Sequence, residues 1–192
     1  MSFPPSEVTA VVGAGVSGLT CARTLRDAGR AVVVLERARG IGGRCATRTL
    51  DGQPVDYGPM FLHGRHPGFV AELDALIRAG GDGWPRRVEG RGSACQPEAF
   101  TPGERRWAPE AGVFALPRRL AQGLEVRTQT RVTGLARGPD GWMVQTEAEP
   151  LLAGRLVLAM APEQTVGLLE TAEAEMPALR GPLALLRTIQ SE

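Results

Sequence analysis

The chain of 192 residues is 43% hydrophobic with 25 Gly and 15 Pro, which excludes collagen, coiled coil and disordered tail and suits one large domain or one domain with part of another. All 22 basic residues are Arg and there is neither Lys nor Asn, so Schiff-base, pyridoxal-phosphate and P-loop lysines and N-glycosylation are excluded. Against 21 acidic residues the net charge is +1, and no global field favours nucleic acid or an anionic membrane.

In chain order, Val8 to Val12 is a β-branched apolar run ending at Gly13 and reads as a buried parallel strand. Val16, Leu19, Ala22 and Leu25 recur at near-helical spacing up to Gly29, which suits a helix C-terminus. Ala31 to Leu35 is a second buried strand, so residues 8–36 form one βαβ unit. Cys45 to Leu50 and Gln53 to Val55 flank Asp51-Gly52 as a hairpin. Pro67 opens a helix to about Ala79, with Phe69, Leu73, Leu76 and Ile77 on its apolar face and Gly80-Gly81 as its stop. Residues 82–112, with Trp84, Phe100 and Trp107, read as an excursion of short strands. Ala115 to Gln122 is a short helix stopped by Gly123, and Glu125 to Arg137 and Trp142 to Glu147 are antiparallel strands about Gly138 to Gly141. Leu156 to Ala159 is a further buried strand, Pro162 to Leu169 a helix, and the chain is helical again from Ala178. The longest apolar runs are too short to span a bilayer. No leader-like start and three irregularly spaced Cys, read as reduced thiols, make a cytoplasmic location the expectation.

Gly13-Ala14-Gly15-Val16-Ser17-Gly18 is G-x-G-x-x-G between a strand and a helix. Gly13 permits the tight turn, Gly15 lets a pyrophosphate approach the backbone, and Gly18 lets helix pack on strand. Helix N–H groups then face the phosphates. Glu36 ends the second strand, where a carboxylate accepts hydrogen bonds from the adenosine ribose and repels a 2′-phosphate, so NADP is disfavoured. Residues 21–50 carry seven Arg against Asp27 and Glu36, and Gly40, Gly42, Gly43 and Arg44 follow closely. That run suits a second close approach to an extended dinucleotide, FAD, and opposes a plain NAD dehydrogenase.

These runs, with Leu35-Glu36-Arg37 and Gly42-Gly43-Arg44-Cys45-Ala46-Thr47-Arg48, resemble the flavin-containing amine oxidases and, more closely, renalase-like FAD oxidoreductases. The resemblance continues through Val55 to Phe61, Pro67 to Phe69, Trp84, Gly112 to Pro117, Gly141-Trp142 and Leu156 to Pro162. It implies an α/β fold: a Rossmann-type FAD-binding domain (1–67 and 113–165) with part of an inserted α+β substrate domain (68–112 and 166–192). It also implies a cofactor-binding set of Gly13, Gly15, Ser17, Gly18, Glu36, Arg37, Gly43, Arg44, Gly58, Pro59, Met60 and Val132, the segment near Gly58 lying beside the isoalloxazine. Such proteins continue past this length. The chain is therefore expected to be the N-terminal part of a longer polypeptide, with a C-terminal half in cis or as a second chain, and alone to leave Leu183, Leu186 and Ile189 of its last helix uncovered.

The expected function is FAD-dependent oxidation of a small molecule, an amine or a reduced nicotinamide dinucleotide, with oxygen reoxidising the flavin; the alternative is a binding subunit or fragment without turnover. No catalytic acid or base is named, since the cofactor supplies the chemistry. His63 and His66 lack partners at zinc-site spacing, so no metal is expected. Asp56 is read as ordering a turn through backbone N–H groups, and Cys45 as a half-buried thiol.

Overall fold

A computed structural model describes residues 4–78, 106–174 and 176–189. The chain divides into two compact units, Met1–Gly43 with Pro117–Glu192, and Arg44–Leu116. The first unit is built on a four-stranded parallel sheet. Its strands are β1 (Thr9–Val12), β2 (Val32–Leu35), β5 (Glu125–Arg127) and β9 (Arg155–Leu158), in the order β5-β2-β1-β9. All four residues of β1 are buried, as expected of a central strand covered on both faces, and this explains its unbroken apolar sequence. Helix α1 (Val16–Asp27) follows β1 and buries Gly18, Leu19 and Ala22; it ends where Gly29 takes a φ of 75°, a left-handed position that glycine adopts without strain. Across β1, Thr9 pairs with Val32 on one side and Arg155 on the other.

The second unit holds a hairpin, β3 (Thr47–Leu50) and β4 (Gln53–Asp56), and helix α2 (Pro67–Arg78). Asp51 and Gly52 have φ of 48° and 80°, the paired positive values of the tight hairpin turn their sequence calls for. Leu73 and Leu76 of α2 are buried. Helix α3 (Ala115–Leu120) carries the chain back to the first unit. The Gly80-Gly81 stop and most of the expected excursion, including Trp84 and Phe100, lie outside the described residues; Trp107 forms an antiparallel bridge with Leu62.

Two expectations are corrected. Residues 125–137 do not form one continuous strand: 125–127 run in the parallel sheet beside β2, as expected of a strand near Val126 that joins those at Val8, Ala31 and Leu156, whereas β6 (Val132–Gly138) pairs antiparallel with β7 (Gly141–Thr146) in a separate three-stranded sheet. The exposed edge of β2 needs hydrogen-bond partners, and the break falls at Thr128-Gln129-Thr130, where no apolar residue anchors either sheet. The third strand of that sheet, β8 (Leu151–Ala153), precedes the strand expected at Leu156 to Ala159 and matches none of the expected elements. By compactness, residues 166–189 lie in the first unit and 44–67 in the second. Helix α4 (Pro162–Glu173) places Leu168, Leu169 and Ala172 in a core with Val12, Leu35, Leu135 and Val144. Helix α5 (Arg180–Arg187) adds Leu183, which is 0% exposed, and Leu186 packs beside it. Among its described leucines only Leu185, 67% exposed, is left outward, and Ile189 just past the helix is exposed as well. Among the described residues no helix is long and apolar enough to cross a membrane.

Because Leu183 fills a closed core and Leu185 fills none, Leu183→Ala should lower unfolding free energy by about 2–5 kcal/mol and Leu185→Ala by no more than about 0.5 kcal/mol, read from urea denaturation. Equal effects would detach α5 from the first unit's core.

Candidate functional site

In the first unit two glycine loops cross at the C-terminal edge of the sheet. Each glycine of the first loop answers a different constraint. Gly13 has φ 104°, and a Cβ there would stand 2.5 Å from the Ala159 carbonyl oxygen. A Cβ on Gly18 would fall on the Gly13 carbonyl and within 3.2 Å of the Ala159 Cβ, so glycine at 18 is what lets α1 lie against β1. Gly15 is the helix N-cap with φ −73° and ψ 175°, a conformation open to any residue. No heavy atom lies within 4 Å of its would-be Cβ. The protein's own packing therefore gives no reason for glycine at 15, and the space beside it is open. The first turn of α1 has no acidic residue and its N-cap makes no side-chain hydrogen bond, so the helix does not cap its own first N–H groups. Ser17 is exposed on that turn.

The second loop lies over the first. Gly42 donates its N–H to the Ala14 carbonyl at 2.8 Å and bridges Gly15. Gly42 and Gly43 have φ of 106° and 57°, and a Cβ on Gly43 would stand 3.3 Å from the Gly15 Cα. Two positive-φ residues in succession, both glycine, are needed to bring this backbone so close.

Glu36 is held on four sides. One carboxylate oxygen accepts the Ala14 N–H at 2.8 Å and the other the Ala38 N–H at 2.8 Å. Its own N–H donates to the Arg127 carbonyl at 2.9 Å, and its carbonyl accepts the Thr130 N–H at 2.8 Å. Sequence reasoning placed the carboxylate but not these four anchors, because the partners are backbone groups of Ala, Arg and Thr and leave no motif. Arg37 is exposed beside it, whereas the Val132 side chain is buried in the apolar core, so only its backbone is available to a ligand.

Arg44, Gly58, Pro59 and Met60 belong to the second unit. A Cβ on Gly58 would fall on the Arg44 carbonyl, so these two segments are brought together through backbone, and the Tyr57 N–H donates to the Ala46 carbonyl at 3.2 Å. All four residues are exposed, Met60 at 60%. Asp56 accepts the Thr47 hydroxyl and, at 3.0 and 3.2 Å, the Val113 N–H, so it ties the hairpin to the turn at Gly112 rather than to Gly58. Burial, then the nearby Asp56 carboxylate, push the Cys45 thiol above its ordinary value, with Arg44 pulling the other way. A thiol kept neutral at physiological pH is a poor nucleophile. Among the described residues no group of three or more His, Cys, Asp or Glu is placed to hold a metal ion.

Residues 11–76 match the family described as NAD(P)-binding Rossmann-like domain. The chain is 35% identical to (S)-6-hydroxynicotine oxidase of Paenarthrobacter nicotinovorans over 127 residues, covering 60% of this chain and 30% of that protein. It is 42% identical to putrescine oxidase of Kocuria rosea over 66 residues, covering 34% and 14%. Among solved structures, a putative protoporphyrinogen oxidase from Exiguobacterium sp. 255-15 aligns with TM-score 0.65 at 16% identity, covering 86% of this chain and 62% of that one. Putrescine oxidase bound to putrescine aligns with TM-score 0.63 at 18% identity, covering 84% and 60%. The chain thus carries a Rossmann-like dinucleotide-binding domain on a fold shared with oxidases, and it has amine oxidases among its homologues. It spans less than a third of the length of those two curated relatives.

Two outcomes follow from this geometry. Gly18→Ala, which meets backbone, should lower the melting temperature markedly, while Gly15→Ala, which meets nothing, should lower it by less than about 1 kcal/mol equivalent; calorimetry on both variants checks the ranking. Since burial keeps the Cys45 thiol protonated to higher pH, its alkylation by iodoacetamide, followed by peptide mapping, should reach half its limiting rate only at a higher pH than that of an ordinary exposed thiol. A midpoint near neutrality would instead mark Cys45 as a reactive thiol.

Proposed function

We propose that the crossed glycine loops and Glu36 bind FAD, and that the chain is the cofactor-binding part of an FAD-dependent oxidoreductase oxidising an amine at the C–H beside nitrogen. The observation that carries the reading is the open space at Gly15, roofed by Gly42 and Gly43 and fronted by the uncapped N-terminus of α1: a cradle shaped for a pyrophosphate. Each Glu36 oxygen has one backbone N–H partner and a remaining lone pair, so the two ribose hydroxyls bind without breaking the existing bonds. The carboxylate's charge opposes a 2′-phosphate, which favours FAD over NADP.

When bound, the flavin accepts the hydride and oxygen reoxidises it. The chain's own part is to bind and orient. Arg44 is assigned to the phosphate charge, Arg37 to the adenine end, and Gly58, Pro59 and Met60 to the flavin end, all on the family resemblance. The renalase-like alternative, with a reduced nicotinamide dinucleotide as substrate, rests on the middle segments of the sequence. The names of the relatives favour an amine. A binding part without turnover of its own is the second reading, favoured by the 30% coverage of the hydroxynicotine oxidase. A cytoplasmic location is part of the proposal.

FAD titration followed by flavin fluorescence tests this. Glu36→Gln keeps the shape but loses charge-assisted acceptance, a loss of about 1–3 kcal/mol in affinity. Arg44→Ala should weaken FAD more than Arg37→Ala. Unchanged affinity in Glu36→Gln would remove the ribose assignment, and the reverse ranking of the arginines would reverse the cofactor's direction.

A further inference from the structure

We propose that Gln129 reads the adenine ring of the bound dinucleotide, an inference that rests on the reading of Glu36 as the ribose acceptor. Two described non-glycine residues have positive φ, Asp51 at 48° and Gln129 at 52°. Asp51 sits in a two-residue hairpin turn that demands it. Gln129 has no such turn, and it is not one of the short polar residues that tolerate the left-handed region. Backbone strain of this kind persists where the surroundings hold it, and often where a site needs it.

What holds Gln129 is the ribose site itself. Its N–H donates to the Ala38 carbonyl at 2.9 Å, the next N–H, of Thr130, donates to the Glu36 carbonyl, and the Glu36 N–H donates to Arg127. Glu36 stands at the end of β2, between the ends of β1 and β5. The end of β1 carries the glycine loop proposed for the pyrophosphate, so a base attached to the same ribose lies on the other side, toward β5 and residues 128–130. Gln129 is exposed there. Its side-chain amide offers one donor group and one acceptor, the complement of the N6 donor and N7 acceptor that adenine presents on one edge.

The test is calorimetric titration of the full 192-residue chain with ADP and with inosine diphosphate, whose base has an acceptor where adenine has its N6 donor. The wild-type protein should prefer ADP about tenfold. Gln129→Gly removes the amide and accepts φ 52° without strain, so its melting temperature should hold or rise while the preference falls to near unity. A preference that survives Gln129→Gly, or its absence in the wild-type protein, overturns the proposal. Glu36→Gln run in parallel separates the two readings: unchanged ADP affinity removes the ribose assignment and this inference with it. Weakened ADP binding combined with an intact preference in Gln129→Gly removes only the role of Gln129.

Discussion

The first unit depends on one close approach, that of α1 to β1 at Gly18, where a single added carbon would strike the Gly13 carbonyl. That contact fixes where the helix N-terminus stands relative to the sheet edge. It also draws in Ala159 at the exit of β9, which touches the would-be side-chain positions of both glycines. Two parallel strands and a helix thus meet at three small residues, and larger side chains would separate them. Everything that follows is placed by this: the open ground beside Gly15, the crossing of the second loop at Gly42, and the distance from the loop to Glu36.

Glu36 couples that junction to the outer sheet edge. A carboxylate with both oxygens on backbone N–H groups and both its own peptide groups bonded to residues 127–130 has little freedom left to lose. Ligand binding to it would cost little further ordering, which is the advantage of a pre-organised acceptor. The same bonds transmit the register of β5 to the glycine loop. The turn at 128–131, irregular by sequence, is in this sense part of the site.

Much of this was legible in the sequence where one residue type answers one constraint. Val8 to Val12 and Ala31 to Leu35 read as buried strands because both faces are covered, and the glycine spacing gave the strand-to-helix turn. Glu36 was found by its place at the end of the second strand. Legibility failed where partners are backbone groups or where topology decides. The division of residues 125–137 between two sheets depends on the vacant edge of β2, which no local pattern reports. Strand β8 is three residues long and follows Pro150, too short for periodicity to register. The last helix looked uncovered because Leu183 and Leu186 have no partner near in sequence; their cover comes from the core that α4 also enters, while Ile189 stays exposed. Asp56 read as a local turn former, yet it bonds Val113, fifty-seven residues on.

The central claim is that the space at Gly15 is kept open for the phosphates of a dinucleotide. Backbone-amide hydrogen exchange of the full chain with and without saturating FAD tests it most directly. The account predicts added protection at residues 15–18 and 42–43, with none in β7 or α5. Protection elsewhere with those amides unchanged, or no change at any amide, would contradict it.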